Sequence, residues 1–213
     1  MTLSRRLLKG GLVLLDPKSG SPVRVLALQY NPDSLSRSFQ VQATGGDGQS
    51  RSEALRLKGP PVETIKVEAE IDATDLLEAG DATASRIGIH AELAALETVI
   101  YPSSRQIRSN QSLAGSGTLE ILPMEAPLTL FVWSMQRIVP VRITDLSVTE
   151  EAFDQNLNPI RAKVSIGMRV LSIDDLGFGH KGGEVFMTHL GRKEQLAAIR
   201  SSALATLGLE SVP

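Results

Sequence analysis

The clearest pattern along the chain is an alternation of apolar and polar residues over windows the length of β-strands. Residues 63–71 alternate throughout, residues 161–171 repeat the pattern, and residues 38–44 alternate around Phe39. Successive side chains of a strand point to opposite faces, so a period of two predicts strands with one buried and one solvated face. The three windows therefore predict half-buried strands.

Each of the two longer windows predicts one apolar face and one charged face. The apolar faces comprise Ile65, Val67, Ala69 and Ile71 in the first window and Ala162, Val164, Ile166, Met168 and Val170 in the second. The opposite faces carry Lys66, Glu68 and Glu70, and Arg161, Lys163 and Arg169. Those charged faces fit solvent, the lumen of a channel, or a contact between subunits, and solvent is the simplest interpretation.

Two further segments predict a hairpin and an irregular strand. Residues 12–15 and 23–28 are apolar and flank a segment rich in Pro, Gly and Ser, which predicts a β-hairpin. Within residues 141–149 the apolar phase slips by one residue at Thr144 and Asp145. A slip of this kind is produced by a β-bulge within one strand or by a kink between two short strands. Both interpretations stay open at this point.

Two helices are predicted from a period near 3.6. The first covers residues 84–101 and ends at Pro102, with Ile89, Leu93, Leu96 and Ile100 forming its apolar stripe. The second covers residues 190–207 and ends at Gly208. Its apolar face, the candidate subunit interface, consists of Leu196, Ile199, Ala203 and Leu207.

The order of these elements predicts a mainly β fold with antiparallel strands, either a β-barrel or a curved sandwich, with one inserted helix and a C-terminal helix. Residues 45–59 and 103–118 are polar or Gly-rich and are predicted as long loops, disordered or used in contacts. Residues 176–183 are predicted as a Gly-rich linker. The chain is accordingly divided into a β-domain over residues 1–175 and a linker with a C-terminal helix over residues 176–213.

Composition excludes several classes of function. The net charge is -2 and aromatic residues make up only 4%, which argues against a nucleic-acid partner. The chain has no cysteine, so disulfides, thiolate metal sites and cysteine nucleophiles are excluded. No apolar run approaches the ~20 residues of a membrane span, and the N-terminal apolar run is shorter than that of a signal peptide. We therefore expect no direct membrane insertion.

Candidate catalytic chemistry is sparse. The three histidines, His90, His180 and His189, lack the spacing of paired metal ligands. Residues 177–183 are Gly-rich but lack the Lys-Ser or Lys-Thr that completes a phosphate loop. Residues 154–158 begin like a calcium loop, but Pro159 stands where that loop requires glycine, which favours a polar turn. The sequence predicts no catalytic residue, no metal site, no cofactor and no enzymatic activity.

The C-terminal half resembles the tube-type domain of proteins from contractile, phage-tail-like injection systems. The matching residues are Phe131-Val132-Trp133, then Ser147-Val148-Thr149 with Phe153, then Asn158-Pro159, and then Arg161-Ala162 at the start of a last strand. Asn31-Pro32 and Gly59-Pro60-Pro61 match in the N-terminal half. The resemblance covers residues 8–173 as an ordered series of matches without one diagnostic motif.

This resemblance implies a tube or baseplate-adaptor protein: a structural subunit of a six-fold ring that joins the inner tube to the spike hub of the baseplate. Its implied partners are other copies of the chain, the inner tube protein, the spike or hub protein and the baseplate wedge proteins. It implies cytoplasmic assembly into the particle, which can leave the cell. Many relatives carry a peptidoglycan-binding LysM module next, whereas here only a linker and a helix follow Leu171.

Two alternatives from other classes remain. A β-barrel module that binds a small ligand or a polysaccharide would need aromatic side chains around a pocket. Trp133, Tyr30 and Tyr101 are the large amphipathic candidates. A hydrolase would need His, Glu or Ser side chains that converge within hydrogen-bonding distance.

Overall fold

A computed structural model describes residues 8–16, 19–43, 56–115, 126–200, 204–207 and 210–212. Seven strands form one sheet in that part of the chain. They are β1 (Gly11–Leu15), β2 (Pro22–Ala27), β3 (Leu35–Gln40), β4 (Val62–Asp72), β5 (Leu128–Ser134), β6 (Arg137–Phe153) and β7 (Pro159–Val170).

The sheet has the order β2-β1-β5-β6-β7-β4-β3, and every neighbouring pair is antiparallel. The predicted class, a mainly β fold with antiparallel strands and helices, is confirmed. The sheet is not closed into a complete barrel, because β2 and β3 lie at its two edges. The predicted hairpin is also confirmed as β1 and β2, which pair directly.

The sheet is nevertheless strongly curved. Leu12 of β1 and Ala69 of β4 line one cavity of about 220 Å³, although three strands lie between β1 and β4 in the sheet. The side chain of Gln29, just after β2, bridges part of the opening: its amide nitrogen donates to the carbonyl oxygen of Asp72 at 2.6 Å, and its amide oxygen accepts from the Asp72 N–H at 2.8 Å. One side-chain amide thus replaces a backbone hydrogen-bonded pair.

The alternation predicted for β4 and β7 is confirmed. The nine residues assigned to the apolar faces are all buried, and all but Val170 pair across β4 and β7, as in Ile65 with Met168. The phase slip in β6 is a β-bulge within one continuous 17-residue strand, because the register with β7 shifts between Ile143 and Asp145. The bulged residue is Thr144. A bulge increases local twist and bend, in keeping with the curvature of the sheet.

The helical insertion after β4 is more divided than predicted. It contains α1 (Thr74–Glu78), α2 (Ala82–Ile87) and α3 (His90–Glu97) where the sequence pattern predicts one helix over residues 84–101. The chain turns at Gly88, whose φ is +54°, and the Ile89 N–H donates to the Pro159 carbonyl oxygen at 2.9 Å. The first residues of the predicted apolar stripe, Ile89 and Leu93, are buried in the core, whereas Ile100 at its end is exposed.

The polar segment predicted as a loop over residues 103–118 is in large part helical. Residues Ser104–Gly115 form α4. Ser103 begins it with a capping box: its hydroxyl accepts from the Gln106 N–H, and the Gln106 side-chain oxygen accepts from the Ser103 N–H, each at 3.2 Å. The predicted loop over residues 45–59 lies mostly outside the described residues, and Leu57 at its end pairs with Ala43.

The C-terminal helix begins earlier than predicted. After the short α5 (Ile173–Leu176), helix α6 spans Lys181–Ile199, and Leu204–Leu207 form a 3-10 turn. The predicted linker at residues 176–183 therefore includes the first turn of α6. Gly183 is required there by space, because a Cβ atom would overlap the carbonyl oxygen of Gly177. The side chain of His180 caps the helix by accepting from the Gly182 N–H at 3.0 Å.

Two apolar clusters hold these elements together. The main cluster contains the inner residues of the curved sheet with Ile89, which caps α3, Leu93 of α3 and Phe186 of α6. The second contains Leu15, Leu128 and Leu130, packed against partly buried residues that include Val185 of α6. Helix α6 thus contributes to both clusters. The division into residues 1–175 and 176–213 as separate units stays a prediction.

Candidate assembly surfaces

The first candidate surface is the open edge formed by β2. This strand pairs with β1 on one side, and the described part of the chain provides no strand for its other side. Val23 and Val25 share one face of β2, and both are largely exposed. Arg24 points the other way and donates to the Thr98 hydroxyl at 2.7 Å, which ties the edge strand to α3. An unpaired edge with exposed apolar side chains is suited to pairing with another chain.

The second candidate surface is the opposite edge, formed by β3. It pairs with β4 alone among the described strands. Phe39 near its end and Val41 just beyond it are both exposed. The edge continues past the strand, because the Lys58 N–H donates to the Gln42 carbonyl oxygen at 2.8 Å. The sheet therefore ends in an exposed, partly apolar strand on both sides.

The predicted subunit interface lies at the C-terminal end of α6 and beyond it. Leu196 and Ile199 occupy the last turn and a half of α6, and Leu207 ends the 3-10 turn. All three are exposed, Ile199 to 72%. Ala203 lies outside the described residues. The side chains that α6 buries are a different set, including Phe186 and His189, so Leu196 and Ile199 remain free for a contact.

The charged outer face of β4 and β7 is largely internally paired. Arg161 contacts Asp72 at 2.7 Å and Glu70 at 3.3 Å, and Lys163 contacts Glu151 at 2.9 Å. The hydrogen bond from Thr74, and further bonds that include Arg161, hold the pKa of Asp72 below its usual value. Exposed ion pairs of this kind add little to stability, and these cations are already matched by carboxylates within the chain.

A charged cluster anchors α6 to the β3 edge, and we refer to it as the Glu63 cluster. It consists of Arg37, Glu63, Arg137, His189 and Lys193. The Glu63 side chain is only 6% exposed. One of its oxygens lies 2.7 Å from the Arg37 guanidinium, and the other lies 3.1 Å from the Lys193 ammonium. Both cations also lie over the Phe39 ring, at 4.8 and 5.5 Å from its centre.

The cluster holds more positive than negative side chains, and this imbalance changes its titration. Burial first, and then the positive charge of Lys193, lower the pKa of His189 from 6.5 to about 4. Burial and the neighbouring Arg37 likewise lower the pKa of Arg137, and the negative charge of Glu63 partly offsets this lowering. Neither ring nitrogen of His189 has a hydrogen-bond partner within the described part of the chain. The histidine is therefore neutral and packed.

Sequence reasoning did not single out the Glu63 cluster, although one signal was present. Glu63 stands in phase with Ile65 and Val67, so the alternation places it on the buried face of β4. A carboxylate on an apolar face needs a cation close by. Phe39 is its direct partner on β3 and Arg37 lies diagonally across from it, but Lys193 lies 130 residues further along the chain and no local pattern could supply it.

Replacing Glu63 by glutamine is expected to lower the free energy of unfolding by about 2 kcal/mol, because Arg37 and Lys193 then lack their counter-charge in a partly buried site. Urea unfolding at neutral pH measures the loss. Glu70→Gln is the matched control, since Glu70 forms an ion pair with Arg161 on the exposed face of the sheet. We expect this variant to lose much less free energy of unfolding. Equal losses in the two variants would contradict the anchoring role.

A wide cleft beside the outer face of the sheet does not assemble a catalytic group. It encloses about 530 Å³ between the loop at residues 30–34 and the outer parts of β4, β6 and β7. Glu68 and Glu70 line it, but these carboxylates are paired with Lys66 and Arg161, respectively. None of the three histidines lines the cleft, and Tyr30 is its one aromatic residue. The described residues that line this cleft provide neither convergent groups for hydrolysis nor an aromatic platform for a sugar.

The predicted polar turn at residues 154–158 ties the β6-β7 hairpin to α2. Asp154 accepts from the Asn156 and Asn158 N–H groups at 2.7 and 2.8 Å, and the Asn158 side chain donates to the Arg86 carbonyl oxygen at 3.2 Å. These bonds, led by the side chain of Asn158, lower the pKa of Asp154.

Across the described ranges no group of three or more potential ligands could hold a metal ion. Among the described helices, none has the length and apolar character needed to cross a bilayer.

No protein-family model matches the chain, and no curated protein matches it. Among solved structures, a chain from the tail of an empty gene transfer agent particle with C6 symmetry is similar at 14% identity, over 76% of this chain and 90% of that one, with a TM-score of 0.29. A chain from the virion of a native gene transfer agent particle matches with the same identity and coverage and a TM-score of 0.26. Values this low establish neither a common fold nor a family.

Proposed function

We propose that the chain is a structural subunit of a phage-tail-like contractile injection particle and that it has no enzymatic activity. In this proposal, copies of the chain assemble in the cytoplasm into a six-fold baseplate ring that connects the inner tube to the spike hub. The partners are other copies of the chain, the inner tube protein, the hub protein and the wedge proteins. The finer placement in the particle comes from the sequence resemblance.

The observation that carries the proposal is that both open edges of the sheet bear exposed apolar residues. Val23 and Val25 lie on β2 and Phe39 lies on β3, and Leu196 and Ile199 are also exposed at the end of α6. A subunit with two different surfaces of this kind can form head-to-tail contacts, and such contacts close into a ring when the rotation allows it. This supports assembly as the role of the fold.

The proposal is tested by the association of the purified chain. We expect sedimentation velocity to show a concentration-dependent assembly and negative-stain electron microscopy to show rings. A protein that stays monomeric at the highest soluble concentration would contradict the proposal. Mixing with the inner tube protein of the same particle should then place the ring at the end of the tube.

The end of α6 provides a specific prediction. Leu196→Glu combined with Ile199→Glu should weaken ring formation at least tenfold, because two charges would be buried in the contact. The fold should survive, since both side chains are exposed in the single chain. Gln195→Glu with Ala198→Glu is the control, because it adds the same charge to the same helix. If both pairs weaken assembly equally, the effect comes from charge and the predicted interface is wrong.

A further inference from the structure

Arg137, at the start of β6, is the charged group that the Glu63 cluster leaves without a counter-ion. Among the described residues its guanidinium takes part in no ion pair, and no hydrogen bond contributes to its titration. Burial, and then the positive charge of Arg37, lower its pKa, so the group lies half-buried beside another cation. A charge that is removed from water without a partner is costly. The charge of Arg137 therefore brings little benefit to the fold of the chain itself.

The carboxylate of the cluster is already engaged by other cations. One Glu63 oxygen lies 2.7 Å from the Arg37 guanidinium, and the other lies 3.1 Å from the Lys193 ammonium. The buried His189 is neutral and changes the balance in neither direction. Three permanent cations thus share one carboxylate, which leaves a surplus of two positive charges in the cluster. An anionic group from outside the described residues would complete it.

The surroundings of the cluster favour a protein segment as the source of that anion. The Phe39 ring contacts both Arg37 and Lys193 and is 48% exposed. Met135, in the turn just before Arg137, is also exposed, and the Arg192 side chain holds this turn by donating to the Met135 carbonyl oxygen. Aromatic residues, Met and Arg are enriched at protein interfaces. A small free anion would gain nothing from Phe39, whereas a peptide with an apolar residue beside its carboxylate would.

A carboxylate fits this surface better than the phosphates of a nucleic acid. The planar guanidinium of arginine can bind either group through two parallel hydrogen bonds. Binding along a phosphate backbone, however, depends on a basic stripe or patch, and this chain has a net charge of -2. The Glu63 cluster provides one uncompensated guanidinium beside an exposed aromatic ring, which is the arrangement for a single acidic side chain with an apolar neighbour.

We infer that Arg137 and Phe39 form a docking surface for an acidic segment of another protein, with a carboxylate of that segment bound by the Arg137 guanidinium and an apolar residue packed on the Phe39 ring. The inference goes beyond the proposed ring, since it assigns a surface for a different protein and does not require copies of the chain to associate. Arg137 is thus a binding residue, whereas Arg37 and Lys193 hold Glu63.

Urea unfolding distinguishes this role from a structural one. Arg137→Gln removes a charge that has no partner within the described residues, so we expect the unfolding midpoint of this variant to be unchanged or higher. Glu63→Gln should lower the midpoint, because it leaves two cations without their carboxylate. Arg142→Gln is the matched control, since it makes the same change at an exposed position of the same strand.

Binding of a labelled peptide to the full chain tests the surface directly. The probe is a short peptide in which leucine and glutamate alternate, and its partner probe has glutamine in place of every glutamate. By fluorescence anisotropy we expect the acidic probe to bind about tenfold tighter or more than its partner, and Arg137→Gln to remove this advantage. Arg142→Gln should stay within about twofold of the natural chain. Affinity for the acidic probe should fall as salt is raised, because exposed charges are screened.

The outcomes separate this surface from the alternatives. Equal binding of the acidic probe by the natural chain and Arg137→Gln would overturn the inference, and so would an unfolding midpoint lowered in Arg137→Gln as far as in Glu63→Gln. Tighter, Arg137-dependent binding of a labelled single-stranded oligonucleotide would assign the surface to nucleic acid instead. Loss of self-association in Arg137→Gln with unchanged peptide binding would assign it to a second copy. Arg137-dependent peptide binding by a chain that stays monomeric would support the inference while contradicting the ring.

Discussion

Alanine at position 88 is expected to lower the free energy of unfolding by about 4 kcal/mol. Gly88 has φ +54° and ψ -135°, a region open essentially to glycine, and forcing another residue into it costs about 1–3 kcal/mol. In addition, a Cβ atom at this position would overlap the carbonyl oxygen of Pro159. That oxygen accepts the Ile89 N–H, so relief of the overlap breaks a hydrogen bond worth about 1 kcal/mol.

The loss at Gly88 should exceed simple backbone strain because of where the turn lies. Ile89 and Leu93 enter the main core directly after it, so a shift of the backbone moves two buried side chains. Gly80→Ala is the matched control: Gly80 also has a positive φ, +73°, but its Cβ would meet nothing within 4 Å. We expect Gly80→Ala to cost about 1 kcal/mol in urea unfolding. Similar losses in the two variants would show that the contact with Pro159 has no role.

The strands could be predicted because burial on one face fixes their pattern. In β4 and β7 the apolar residues recur every second position, and a slip of one residue would move the whole set to solvent. The same rule made the bulge in β6 visible, since Thr144 is the point where the phase changes. Closure could not be predicted, because it depends on how far β2 and β3 lie apart and no local pattern encodes that distance.

The helices were harder to place because glycine has two opposite uses. Within residues 84–101, Gly88 ends α2 by a positive φ although the apolar stripe continues beyond it. At the start of α6, Gly182 and Gly183 allow close packing, whereas the sequence alone suggested a flexible linker. In α4 the polar composition concealed a real signal, the Ser103 and Gln106 capping box.

The candidate surfaces were only partly predictable. Leu196 and Ile199 are exposed, as an interface requires, but exposure in one chain does not test whether another chain covers them. The apolar face that the sequence assigned to the last helix is not the face that packs on the sheet. Phe186 and His189 form the face that packs on the sheet, and both lie before residue 190, where the sequence pattern predicts that the helix begins.

Acidification from pH 6.5 to pH 4.5 is expected to destabilise the protein through His189. Its pKa is about 4 in the folded chain and 6.5 as the ordinary value. Between these values the unfolded chain binds a proton that the folded chain does not, so stability falls as the pH falls. The full difference corresponds to about 3 kcal/mol, most of it lost before pH 4.5. Asp72 and Asp154 also have lowered pKa values, but these carboxyls affect stability at pH values near and below their usual pKa of 3.8, outside the range from pH 6.5 to pH 4.5.

Leucine at position 189 should remove this dependence without loss of the fold. Both ring nitrogens of His189 are buried and lack partners among the described residues, so an apolar side chain of similar size forfeits no hydrogen bond there. Urea unfolding between pH 4.5 and 8 should give a nearly flat stability for His189→Leu and a sloping one for the natural chain and for the exposed-site control His90→Gln. Because Lys193 and Arg37 disfavour a further positive charge beside them, Lys193→Met should reduce the slope only in part. An unchanged slope in His189→Leu would mean that another group senses the acid, and the Glu63 cluster would then be a packing site alone.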